Sequence, residues 1–207
     1  MALEPQKPVQ YRAVFRADAG QRIGTGHVMR CLSIADRLTR MGVVSRFVCK
    51  AHQGHMAAQI GARGYACDLL PLTRDWQGEG YLAWLGGPVL DDAHLTAQAI
   101  TAAGGADMLV VDHYALDAAY QRPLRKTLRH IAVIDDLHNR SHDCDILIDQ
   151  NIGHDPAFYA GFVPDAARLL VGAKYAPIRA EFAALRAKSL TRRAGVAVPK
   201  VLLVSLG

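Results

Sequence analysis

Short apolar runs alternate with longer stretches of helical periodicity along most of the chain. Runs that are apolar throughout, or that alternate with polar residues, predict strands over residues 11–17, 43–49, 65–72, 107–112, 130–136 and 144–149. Apolar residues spaced three and four positions apart predict helices over residues 28–42, 54–64, 92–103 and 117–128. The stretch 73–88, which carries glycine and tryptophan, is predicted to be a loop. Strands alternating with helices are typical of βαβ units, so the pattern predicts an α/β fold: a Rossmann-like parallel sheet with helices on both faces.

The C-terminal third of the chain has a different pattern. Residues 169–188 predict a short strand, a loop and a helix, and the basic segment 189–200, which ends in Pro-Lys, predicts a linker. The final "VLLVSLG", residues 201–207, predicts the first strand of a second, truncated nucleotide-binding domain. The polar residues 1–10 predict a flexible leader, so residues 11–188 are expected to form the N-terminal Rossmann-like domain.

Charge and composition narrow the choice of partner. The formal net charge of +5 suits an anionic ligand such as a nucleotide, and the scattered basic residues argue against nucleic acid. No stretch approaches the roughly 20 apolar residues of a membrane span, so no membrane partner is expected. The N-terminus lacks the apolar core of a secretory signal, which predicts a cytoplasmic protein. The 4 cysteines lack metal-ligand spacing, which predicts reduced thiols and no metal site.

The segment "IGTGHVMRC" places glycines around a threonine directly before His27. A helix that begins near His27 directs unpaired N–H groups toward the imidazole, which disfavours an imidazolium and leaves the neutral form that a general base requires. Gly24 and Gly26 allow a ligand to approach the backbone. The alternative is a histidine that packs over the turn. A dinucleotide fingerprint is poorly matched, because Met29 stands where its third glycine belongs.

Three polar clusters are predicted to meet at one edge of the sheet. They are the loop that ends at His27, the "DHY" of residues 112–114 and the "DD" of residues 135–136. In open parallel sheets, ligands bind outside the carboxyl ends of the strands, where such loops gather. Asp135 and Asp136 are not expected to share a metal, because adjacent strand residues point to opposite faces. The sequence therefore predicts a ligand site at this edge.

Four longer motifs carry a resemblance to one family. They are "FRADAGQRIGTGHVMRC", "VVDHYALD", "VIDDLHNRSHDCDILIDQN" and "LLVGAKYAPIRAEF". In this order they resemble the UDP-2,4-diacetamido-2,4,6-trideoxy-β-L-altropyranose hydrolases of pseudaminic acid biosynthesis. The resemblance covers nearly the whole chain after the leader.

The resemblance implies a glycosyltransferase-B-like architecture, two Rossmann-like domains facing across a cleft, of which this chain holds the N-terminal half. It implies attack of water on the anomeric carbon of a UDP-activated diacetamido-trideoxy sugar, with C–O cleavage, inversion and release of UDP. No metal or other cofactor is implied, the base falls on His27, and the second domain holds most of the nucleotide. Two other functions stay open: a UDP-sugar-dependent glycosyltransferase of the same fold, and an inactive, truncated sugar-binding module.

Given this resemblance, residues around the loop are expected to contact the substrate. The candidate substrate-binding residues are Arg16, Gly24, Thr25, Gly26, Asp112, Tyr114 and Asn151. Four of them have alternative roles: Arg16 would steady the loop, Asp112 would hold the next turn, and Asn151 would form a turn. The alternative for Tyr114 is a ring that packs beside the edge of the sheet. The neighbouring His113 is expected to pack structurally.

Overall fold

Seven parallel strands form a single sheet in the computed structural model, which describes residues 10–195, 198 and 201–204. The strands are β1 (Arg12–Ala17), β2 (Val44–Lys50), β3 (Ala66–Leu70), β4 (Met108–Asp112), β5 (His130–Ile134), β6 (Ile146–Asp149) and β7 (Arg168–Val171). Their order is β3-β2-β1-β4-β5-β6-β7, and every neighbouring pair is parallel. The direction of winding reverses between β1 and β4, so the sheet is Rossmann-like, as predicted.

Helices cover both faces of the sheet. The helices of the described residues are α1 (Gly26–Thr39), α2 (Ala57–Ala62), α3 (Tyr81–Leu85), α4 (Val89–Ala102), α5 (Ala118–Leu124) and α6 (Ala180–Arg193), with 3-10 turns at Pro156–Tyr159 and Ala173–Tyr175. Helix α6 buries none of its residues and is not part of either face. Successive strand residues enter opposite apolar clusters: Val14 packs with residues of α4 and α5, while Phe15 packs with residues of α1 and α2. The predicted two-sided α/β architecture is confirmed. None of the helices in the described part of the chain is long and apolar enough to cross a membrane.

Two segments differ from the sequence-based expectations. The predicted loop 73–88 contains the short helix α3, which ends at Gly86 with a left-handed φ of 68°. A Cβ at Gly86 would lie 2.4 Å from Leu72 Cδ2, so glycine also fits the close packing at this turn. Residues 201–204 carry no strand, and α6 continues to Arg193 through the start of the predicted linker.

The domain boundaries remain predictions. Residues 1–9 of the predicted leader lie outside the described residues, as do residues 196, 197, 199 and 200 of the predicted linker. Residues 205–207 of the predicted last strand also lie outside them.

Candidate active site

A cavity of about 560 Å³ opens at the N-terminal end of α1, close to the point where the strand order reverses. Its walls come from α1, α3, the loops after β4 and β6, and the segment after β7. The lining residues are Ile23, Gly26, His27, Met29, Arg30, Ser33, Trp84, Tyr114, Gln150, Ala176, Pro177, Ile178, Arg179 and Phe182. Doubly wound sheets bind ligands at this location, so the cavity is the candidate active site.

The loop from Gly20 to Gly26, called the glycine loop below, places His27 at the cavity wall. Gly24 has a φ of 78°, a left-handed conformation that glycine adopts without strain, and its N–H donates to the carbonyl of Gly20 at 2.8 Å. Helix α1 then begins at Gly26, so His27 lies in its first turn, as the sequence predicts. The His27 side chain retains 9% exposure and lines the cavity, which means that its ring is not sealed inside the core.

Asp112 is the hydrogen-bond partner of the His27 ring. His27 Nδ1 lies 2.6 Å from Asp112 Oδ1, and Asp112 is completely buried at the end of β4. Arg30, one turn after His27 on the same helix, binds both oxygens of this carboxylate, with Nη2 2.6 Å from Oδ1. Burial by itself would raise the pKa of Asp112, but the hydrogen bonds from Arg30 and His27 outweigh that effect and hold its pKa below the ordinary value.

This contact fixes the chemistry of the imidazole. An ionised carboxylate only accepts hydrogen bonds, so Nδ1 donates to Asp112, and in the neutral ring Nε2 is then the nitrogen with the free lone pair. A histidine whose Nδ1–H is held by a buried aspartate is the usual arrangement of a general base. Asp112 is therefore placed to position His27, and its oxygens are not exposed to a ligand in the cavity.

Aromatic side chains stand beside the imidazole. The Tyr114 ring meets the His27 ring edge to face, with centroids 4.8 Å apart, and Tyr81 and Trp84 of α3 lie 4.9 and 6.2 Å from Tyr114. Burial and the nearby Asp136 carboxylate raise the pKa of Tyr114, so its hydroxyl stays protonated and can donate a hydrogen bond. This wall offers both flat apolar surface and a hydroxyl to a ligand.

Arg16 does not line the cavity. Its side chain is completely buried and donates to the carboxylates of Asp18 and Asp92 at 2.6 to 2.9 Å. The guanidinium group of Arg16 is thus occupied by carboxylates inside the fold, which matches its alternative role of steadying the loop, and contact with the substrate stays a prediction. His113 packs structurally, as expected, and burial lowers its pKa to about 4.

The remaining candidates occupy different positions. Thr25 and Gly24 lie exposed on the loop, and only Gly26 of the glycine-threonine-glycine segment lines the cavity. Asn151 donates its backbone N–H to Asp149 at 2.9 Å, as a turn residue does, and Gln150 takes the place on the wall. Asn151 is therefore outside the lining of this cavity, and contact between Asn151 and a substrate stays a prediction.

Several cavity residues were not identified from the sequence. Arg30 was detectable in principle, because residues three apart on a helix are neighbours and Arg30 follows His27 by three. Trp84 and the segment 176–182 give no such local signal, since they reach the cavity only through the tertiary fold. In the part of the chain that the structure describes, no group of histidine, cysteine and acidic residues is arranged to hold a metal ion.

Comparisons with known proteins agree with a distant relationship. No family model matches the chain. The chain is 24% identical over 178 residues to the UDP-2,4-diacetamido-2,4,6-trideoxy-β-L-altropyranose hydrolase of Campylobacter jejuni subsp. jejuni serotype O:2. The match covers 83% of this chain and 53% of that protein, so the chain spans about half the length of the curated relative it matches.

Proposed function

We propose that this protein hydrolyses a nucleotide-activated sugar and that His27 is its general base. The observation that carries the proposal is the 2.6 Å contact between His27 Nδ1 and the buried Asp112, which leaves Nε2 available at the cavity wall. The name of the Campylobacter relative supports a UDP-activated sugar as the substrate class. The specific substrate we infer is the UDP-linked 2,4-diacetamido-2,4,6-trideoxy hexose of that name.

In the proposed reaction, a water oxygen forms a bond to the anomeric carbon while His27 Nε2 accepts the water proton. The bond between the anomeric carbon and the diphosphate oxygen breaks, and its electron pair leaves with UDP. Attack from the side opposite the leaving group inverts the anomeric centre. Diphosphate is a good leaving group, so this reaction depends less on the carboxylic acid that ordinary glycoside hydrolysis uses.

The other site residues bind or orient. Asp112 acts through His27 by fixing the tautomer and the orientation of its ring. Tyr114 donates a hydrogen bond from its hydroxyl group to the sugar. The backbone at Gly24, Thr25 and Gly26 leaves space for the sugar to approach. One positioned base contributes about 10²- to 10⁴-fold to the rate. The rest must come from holding water and sugar in line.

The test follows the products and the source of their oxygen. The protein is incubated with UDP-2,4-diacetamido-2,4,6-trideoxy-β-L-altropyranose in ¹⁸O-labelled water, with no acceptor present. We expect release of UDP that carries no ¹⁸O, because water attacks the anomeric carbon and the diphosphate keeps its own oxygen. His27→Ala should lower kcat by about 100-fold or more. His94→Ala is the matched control, because His94 is an exposed histidine on α4 outside the cavity, and it should leave kcat unchanged.

Other outcomes separate the alternative functions. Release of UDP only after an acceptor alcohol is added would identify a glycosyltransferase. Binding of the sugar nucleotide without turnover under either condition would identify a sugar-binding module. Undiminished turnover by His27→Ala would remove the assignment of the base.

A further inference from the structure

The cations on the cavity wall are not equivalent. Two guanidinium groups line the cavity, those of Arg30 and Arg179. Arg30 is neutralised, since it binds both oxygens of Asp112 and its Nη1 lies 3.4 Å from Asp136 Oδ2. Arg179 has no carboxylate within ion-pair distance among the described residues. The cavity thus holds one guanidinium group whose charge is not balanced by the fold.

Arg179 is held at the wall by its neighbours. Its Cζ lies 4.7 Å from the centroid of the Phe182 ring, a cation–π contact, and Phe182 lines the same cavity. Pro177 has a fixed φ two residues before Arg179, and the N–H of Ile178 donates to the carbonyl of Ala176 at 2.8 Å. The guanidinium group therefore lies against an aromatic ring of the same wall, where a ligand in the cavity can reach it.

We propose that Arg179 binds the diphosphate group of a nucleotide sugar in this cavity, an inference that rests on the proposed function. A guanidinium matches the geometry of phosphate oxygens and binds them through paired hydrogen bonds. Among the described residues that line the cavity, Arg179 is the cation free to do so. The motif "LLVGAKYAPIRAEF", which contains it, thereby gains a chemical role.

The proposed displacement sets the geometry that this assignment requires. In an inverting reaction, the attacking water and the departing diphosphate lie on opposite sides of the anomeric carbon. The base and the group that receives the diphosphate must then belong to different parts of the wall. His27 belongs to the first turn of α1, whereas Arg179 belongs to the separate segment 176–182. Negative charge grows on the diphosphate as the bond breaks, so Arg179 stabilises the transition state more than the bound substrate.

Binding of small anions tests the proposal directly. Inorganic pyrophosphate, UDP and uridine are titrated into the protein at low ionic strength by isothermal calorimetry. We expect pyrophosphate and UDP to bind more tightly than uridine, and Arg179→Met to weaken both anions about 10- to 100-fold. Arg186→Met is the matched control, because Arg186 is an exposed arginine of α6 that does not line this cavity. Thermal unfolding of each variant verifies that it is folded.

The outcomes distinguish this inference from the hydrolase proposal. Equal anion affinity in wild type and Arg179→Met, equal losses in Arg179→Met and Arg186→Met, or no pyrophosphate binding at all would overturn the anion site. His27→Ala should bind pyrophosphate like wild type while losing turnover. Turnover that needs His27 but is unchanged in Arg179→Met would refute the role of Arg179 alone. Pyrophosphate binding that needs Arg179, without hydrolysis of the sugar nucleotide, would refute the hydrolase and leave the anion site standing.

Discussion

Replacing Arg16 by methionine removes one cation from a fully buried group of charges beneath the cavity. Arg16 Nη1 donates to Asp18 Oδ1 at 2.6 Å, and its Nε donates to Asp92 Oδ1 at 2.8 Å. All three side chains have 0% exposure. Lys50 supplies the second cation, with Nζ 3.3 Å from Asp92 Oδ2. Two cations thus balance two carboxylates in a region that water does not reach.

The size of the effect follows from what the variant leaves behind. Arg16→Met strands two buried carboxylates with Lys50 as their remaining cation. Removing one partner of a buried ion pair typically costs about 3–5 kcal/mol. Arg46→Met provides a comparison, because Arg46 pairs with Asp68 on neighbouring strands while 34% and 28% of their side chains stay exposed. A pair of that kind contributes no more than about 1 kcal/mol.

Urea unfolding at pH 7, followed by circular dichroism, measures both losses of unfolding free energy. The double variant Arg16→Met/Asp92→Asn leaves Lys50 and Asp18 as one cation and one carboxylate, which restores the charge balance of the group. Its cost should therefore be smaller than the sum of the two single costs. If Arg16→Met destabilises the protein no more than Arg46→Met does, the ion pairs of Arg16 do not stabilise the fold more than an exposed pair does.

Two further predictions concern the histidines next to Asp112. In the unfolded chain His113 has an ordinary pKa of 6.5, whereas burial lowers its pKa to about 4 in the folded protein. Protonation of His113 therefore favours the unfolded chain, and its contribution to the unfolding free energy should fall by about 3 kcal/mol as the pH decreases from 6.5 to 4. His113→Gln should flatten this decline in urea midpoints measured from pH 7 to 4.5, and identical slopes would contradict the assignment. Asp112→Asn removes the charge that holds the His27 tautomer, so kcat for UDP release should drop about 100-fold or more. An unchanged kcat would show that His27 works without Asp112.

The sequence predicted the sheet well because its strands are buried on both faces. β4 is apolar at four successive positions before Asp112, a pattern that a parallel strand covered by helices requires. Helix α3 was missed because a helix from Tyr81 to Leu85 is too short to show a 3.6-residue period, and its position depends on the turn at Gly86. The segment 201–204 is apolar but unpaired in the structure, and a strand needs a neighbour to satisfy its backbone.

The site was only partly predictable, and the misses share a physical cause. His27 and Asp112 follow strand ends, so a local pattern indicates that they lie at the same edge. Arg16 also lies near a strand end, but its partner Asp92 comes 76 residues later on α4, and no local pattern connects them. Arg179 is still more remote from His27 in sequence. Contacts between separate layers of the fold leave no periodic pattern in the sequence, so they cannot be predicted from the spacing of apolar residues.

The register between β1 and β4 explains why His27 and Asp112 come into contact. β1 and β4 are adjacent only because the sheet reverses its winding between them, and Ala17 at the end of β1 pairs with Asp112 at the end of β4. The chain leaving β1 must therefore enter α1 beside the Asp112 carboxylate, which brings His27 and Arg30 to it within one helical turn. A shift of the pairing by one residue would turn Asp112 to the opposite face of the sheet and leave the imidazole without its acceptor. The geometry of the candidate base is thus a property of the β1–β4 pairing as much as of the glycine loop.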